Sequence, residues 1–302
     1  MAAASKFSIK TKTKSNSLPC RSHPTTFIIE ELLNTIETAS AEAASADAIC
    51  SSLSQMTTLY KCMDNLLTSS TTQILMSSEQ NKKWFDELVD KSVKFLDICG
   101  NVRDMLSETK DHCRDLYSAI RRRKGDSINK ISITKYNCFR KKMKKDVKGL
   151  TANLKQVDNY MVTGFGSMVV DSDNHQLAAV IRAVVGVSEV TIMVLESLLT
   201  FFCMPFSKPN RWSVVVSKLT HKGRVACEEQ PEQGVVNELE SIDAALKVLC
   251  KHESSCDMRN MQIAQCRLDR LGAEIESMES GLESVFRCLV QTRVSLLNII
   301  SQ

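Results

Sequence analysis

Aromatic residues make up only 5% of this 302-residue chain, and helix breakers are equally scarce, with 5 prolines and 10 glycines. Such a composition, rich in Leu, Met, Lys and Glu, disfavours sheets and favours long helices. No secretory signal is expected, because Met1 to Lys14 lacks an apolar core. Residues 1–29 contain no Asp or Glu and carry Lys6, Lys10, Lys12, Lys14 and Arg21 among many Ser and Thr. That stretch reads as a basic, disordered tail over 1–24; an organelle transit peptide is the competing reading.

Membrane spans and metal sites also lack support. Gln176 to Phe206 is strongly apolar, but Arg182, Glu189 and Glu196 interrupt it every seven residues. No uncharged run reaches the ~18 residues a span needs, so the segment reads as a core helix with one polar stripe. The 12 cysteines are scattered among apolar neighbours, which suits buried thiols in a reducing compartment. Cys250, His252 and Cys256 have no standard zinc spacing, and no metal or cofactor is expected. Gly164-Phe165-Gly166 lacks the rest of a nucleotide loop and is predicted to be a turn between helices. With no catalytic motif in evidence, the chain is not expected to be an enzyme.

Two long heptad seams are present. Phe85, Leu88, Ser92, Phe95, Cys99, Val102, Leu106, Thr109, Cys113, Leu116 and Ile120 alternate spacings of three and four. Ser77 and Gln80 form a capping box ahead of them, and Arg121 to Gly125 supplies a cationic stop. Met261, Ala264, Leu268, Leu271, Ile275, Met278, Leu282, Val285, Leu289, Thr292, Leu296 and Ile299 repeat the rule. Shorter helical patterns run from Phe27 through a Ser/Ala-rich stretch to Leu67, from Thr134 to Tyr160 and from Glu232 to Leu249. Thr68 to Thr72 reads as a break, and Asp173 as the N-cap of the apolar helix. The expectation is an all-α, elongated antiparallel helical bundle forming a single domain over 25–302, with the last helix packed back along an earlier one.

Charge is unevenly spread. Net charge is +4, yet residues 121–148 hold twelve Lys/Arg against Asp126 and Asp146, while residues 226–302 hold thirteen Asp/Glu against seven Lys/Arg. The basic clusters Arg121, Arg122, Arg123, Lys124 and Arg140, Lys141, Lys142, Lys144, Lys145, Lys148 are a candidate interaction surface. A solvated face neutralised by the acidic third competes with a protein partner and with an anionic membrane surface. Tyr136 and Phe139 are the only nearby aromatics, which disfavours nucleic acid. Phe201, Phe202, Phe206 and Trp212 are a candidate apolar contact, with a tucked-in helix end as the alternative.

Several segments together resemble the plant-specific BYPASS-related family. They are Ser17 to Pro24, Leu59-Tyr60 with Leu66-Leu67, Trp84 to Leu88, Leu96 to Gly100, Arg103-Asp104, Arg121 to Arg123, Gly281-Leu282-Glu283, Phe286-Arg287 and Arg293 to Asn298. The order is kept from Ser17 onwards, although Thr68-Ser69-Ser70 stands where the family has a Leu-Pro step. The resemblance implies a role in root and shoot development, with signalling and trafficking links in some members, and no assigned catalytic residues. A non-enzymatic adaptor or regulatory protein is therefore expected. It would be cytoplasmic or membrane-peripheral, with plastid or nucleus as alternatives.

Overall fold

A computed structural model describes residues 24–40, 45–76, 79–122, 126–170, 175–203, 237–251 and 258–301. They form α1 (Pro24–Ser40), α2 (Ala46–Thr68), α3 (Ser70–Met76), α4 (Glu79–Arg121), α5 (Asp126–Val170), α6 (His175–Cys203), α7 (Glu238–Lys251) and α8 (Met258–Ile300), with no strand among the described residues. The fold is all-α.

Local chemistry sets several boundaries. Pro24 opens α1, where its missing N–H would lack a helical partner anyway. Ser45 caps α2 by accepting from the Ala48 N–H at 3.3 Å, so the Ser/Ala-rich stretch contains a helix start where the sequence suggested continuity. The Thr68 to Thr72 break is confined to Ser69, whose extended backbone ends α2 while its hydroxyl accepts from the Thr72 N–H in α3. Another expectation is corrected: the turn at Gly164-Phe165-Gly166 is helix, because α5 continues to Val170. Two glycines cost about 2 kcal/mol relative to alanine, which a 45-residue helix can tolerate. The proposed caps at Ser77 and Asp173 lie outside the described residues.

Helices α4 and α8, each 43 residues and so about 65 Å long, form the spine. They run antiparallel: Arg293 Nη1 donates to Ser92 Oγ at 2.9 Å, Arg103 pairs with Glu283 at 3.2 Å, and Lys110 pairs with Glu279. Every seam residue from Leu88 to Ile120 and from Met261 to Ile299 is buried. Helix α2 lies parallel to α8 on another side, with Leu53 against Gly281, Cys288 against the Thr57 carbonyl and Ser295 against Asp64. A Cβ on Gly281 would sit 3.1 Å from Leu53 Cβ, so the missing side chain permits the close approach.

Helix α6 packs against α1, α2 and α5. It is long and apolar enough to cross a membrane on length and composition, but 67% of its most apolar window is buried within the bundle. Arg182 and Glu189 are exposed and Glu196 is half-buried, giving the polar stripe its outward face. Inside, Tyr60 Oη and Thr191 Oγ1 lie 2.7 Å apart, so two buried hydroxyls satisfy one another.

Candidate functional site

Among the described residues, a polar junction joins α5, α6 and α7. Burial leaves the C-terminal carbonyls of α6 in need of donors. Arg140 of α5 supplies one, donating from Nη1 to the Phe202 carbonyl at 3.0 Å, and Asn237 supplies another, donating from Nδ2 to the Phe201 carbonyl at 2.8 Å. Asn237 also caps α7, its Oδ1 accepting from the Glu240 N–H at 2.9 Å. One amide therefore ends α6 and starts α7.

Asp243 of α7 completes the junction. It accepts from Tyr136 Oη at 2.9 Å, from Arg140 Nη2 at 3.1 Å and from Arg140 Nε at 3.3 Å. The planar guanidinium thus grips a carboxylate and a helix terminus together, a geometry Lys could not reproduce. Burial, the Asp243 charge and the hydrogen bond to it hold the Tyr136 phenol well above its ordinary range. Burial likewise pushes the nearby Cys113 thiol up to about 12, leaving it un-ionised and a poor nucleophile.

Glu240 is 4% exposed, and its Oε1 is buried without a hydrogen-bond partner. Desolvation first, and Asp243 second, raise its pKa. The folded state therefore holds this proton more tightly than the unfolded chain. The associated stability is full below the unfolded pKa and is lost as pH rises through the folded one. Accordingly, Glu240→Gln is expected to gain stability over the wild type as pH rises from the ordinary carboxylate range through the raised folded pKa, levelling off once Glu240 is ionised in both states. Denaturant melts across that range test this, and a pH-independent difference would contradict it.

These contacts change the sequence-derived sites. Arg140 is 5% exposed and engaged inward, so it leaves the candidate basic surface. Phe201 and Phe202 are fully buried and pack edge to face with centroids 5.6 Å apart, so the tucked-in helix end is correct and they present no surface contact. Phe206, Trp212, Arg123 and Lys124 lie outside the described residues, as do His252 and Cys256 of the zinc alternative. Arg121 and Arg122 are exposed at the end of α4.

Along α5, Lys142 pairs with Glu108 of α4 at 3.3 Å and Lys144 is half-buried. Lys141, Lys145 and Lys148 are exposed, and Lys155 joins them. At 100° per residue, these four occupy an arc of about 80°, over about 21 Å of helix axis. Lys155 lies beyond the dense charge cluster, and only the helical phase reveals its membership. Asp146 projects from α5 about 140° away from Lys141 by the same reckoning. Among the described residues, the acidic third meets the basic clusters in the Arg140–Asp243 pair.

Two open grooves, of about 340 and 430 Å³, lie between α4 and α8. One is lined by Lys110, Cys113, Arg114, Asp269 and Glu276, the other by Arg103, Asp104, Glu276, Glu279 and Glu283. Among the described residues, no group of three or more His, Cys, Asp or Glu could hold a metal ion, and the nine cysteines there are free thiols.

A family model described as Protein BPS1 matches residues 52–299, from early α2 to the end of α8. The chain belongs to the BPS1 family. This is the BYPASS-related plant family that the sequence segments resemble. The match contains both heptad helices, Arg140, Asn237 and Asp243, so the junction and the lysine stripe lie inside the BPS1 region. No curated protein and no solved structure matches the chain.

Proposed function

We propose that this BPS1-family protein is a non-enzymatic adaptor or regulatory protein in root and shoot growth, with the outer lysine face of α5 as its working surface. The observation that carries the reading is the exposed alignment of Lys141, Lys145, Lys148 and Lys155, while the neighbouring Arg140 is drawn inward by Asp243. The bundle interior supports a scaffold role. Its buried Tyr60–Thr191 pair is mutually satisfied, and the Cys99 and Cys113 thiols are held un-ionised at about 12 by burial. Family membership supports the developmental setting, through what the resemblance implies.

The test is proximity labelling in plant cells, comparing the wild type with Lys141→Glu/Lys145→Glu/Lys148→Glu. All three positions are exposed, so the fold should tolerate the changes within about ±0.5 kcal/mol per site. The expected outcome is loss of a defined set of neighbours at unchanged protein abundance. An identical neighbour set would dismiss α5 as the working surface.

A further inference from the structure

We infer that the lysine stripe of α5 is a docking face for an anionic lipid bilayer. The inference rests on the preceding reading that this face does the protein's work, and it specifies the chemistry of the partner.

Three observations favour lipid over an acidic protein. The first concerns residue type. The outward cations of the α5 stripe are Lys141, Lys145, Lys148 and Lys155, all lysines, whereas Arg140 of the same helix is turned inward to make directional bonds. Lysine is a hydrated point charge on a flexible stem, suited to mobile headgroups; arginine's fixed fork suits ordered carboxylates. The second is what accompanies the lysines. Protein interfaces are held by aromatic or aliphatic anchors at a desolvated centre. Among the described side chains, the exposed α5 neighbours of these lysines are small or polar, including Asn137, Cys138, Ala152, Asn153 and Gln156, and the exposed large apolar residue is Ile131, ten residues before Lys141.

The third is geometry. Four charges along about 21 Å of one helix present a line to a plane, and each cation near an anionic surface adds attraction without an individual pocket. Charge complementarity is therefore satisfied by a surface of diffuse negative charge. Helix α5 lies outside the α4–α8 pair, and its inner face meets α4 through Phe139–His112 and Lys142–Glu108, α6 through Arg140 and the Phe202 carbonyl, and α7 through Asp243. The stripe can thus face a membrane without opening the bundle.

The full chain is pelleted with vesicles of phosphatidylcholine alone, with phosphatidylserine added, or with a phosphoinositide added. Binding is expected to the two anionic compositions and not to phosphatidylcholine alone, and to weaken as salt shortens the screening length. Lys141→Gln/Lys145→Gln/Lys148→Gln should weaken it roughly 100-fold, corresponding to ~3 kcal/mol for three surface cations. A matched triple, Arg114→Gln/Lys247→Gln/Arg287→Gln, changes net charge equally at exposed positions off the stripe and should retain most of the binding. Circular dichroism confirms that both variants are helical.

Equal weakening by the two triples would show that overall charge, not the stripe, sets affinity, and would overturn the inference. So would tight, stripe-dependent binding to soluble polyglutamate without vesicle binding, which would identify an acidic protein partner. Loss of cellular neighbours on stripe reversal, combined with unchanged vesicle binding, would sink the lipid assignment while leaving the adaptor reading intact.

Discussion

Replacing Asp243 with alanine should destabilise the protein by about 3–5 kcal/mol, lowering Tm by roughly 6–10 °C. Arg140 is 5% exposed, and without Asp243 its guanidinium keeps the Phe202 carbonyl but loses its counter-charge. Tyr136 loses its acceptor at the same time. Most of the cost comes from leaving a buried charge uncompensated, because a buried ion pair itself stabilises little over apolar residues of equal volume. The double replacement Arg140→Met/Asp243→Leu should therefore recover much of the loss. Thermal and denaturant melts of the two variants decide the point. A loss under about 1 kcal/mol for Asp243→Ala would mean that the junction is solvated in solution.

A comparable loss, about 2–5 kcal/mol, is expected for Leu282→Ala at the meeting of α2, α4 and α8. Leu282 is 1% exposed, between Gly281, which touches Leu53 of α2, and Glu283, which pairs with Arg103 of α4. Three helices bound the site, so it can collapse only by shifting one of them, and the truncation leaves a cavity. Twelve residues along the same helix, Val294 is 45% exposed, and Val294→Ala should stay within about 0.5 kcal/mol. Denaturant melts of the pair test whether the heptad phase separates core from surface as described. Similar small effects at both positions would argue against α8 as a wall of the bundle.

Much of this architecture can be read in the residues themselves. The alternation of three and four from Leu88 to Ile120 and from Met261 to Ile299 marks the buried stripes, because burial of one helical face is periodic in sequence. The charges at Arg182, Glu189 and Glu196 mark the solvent side of α6 by the same logic. Glycine at 164 and 166 misleads, since a propensity of about 1 kcal/mol is a weak signal within a long helix. The Ser45 cap is hidden by a composition in which serine occurs every few residues. Phe201 and Phe202 show why an apolar cluster beside cations does not by itself locate a contact: both rings are interior, and the cation that matters is Arg140 of another helix.

By itself, the sequence determined the helical class, the two seams and the BPS1-type segments, because periodicity and residue order are local properties of the chain. Tertiary structure alone decided that α8 runs antiparallel to α4 and parallel to α2, through pairs as distant as Arg103–Glu283 and Ser295–Asp64. It also divided one run of basic residues into two roles. Arg140 is an interior latch because Asp243, 103 residues away, meets it there, while Lys141, Lys145 and Lys148 face outward because none of the described helices covers that arc of α5. The physical reason is that like charges adjacent in sequence point in different directions around a helix, and only packing decides which of those directions is solvent.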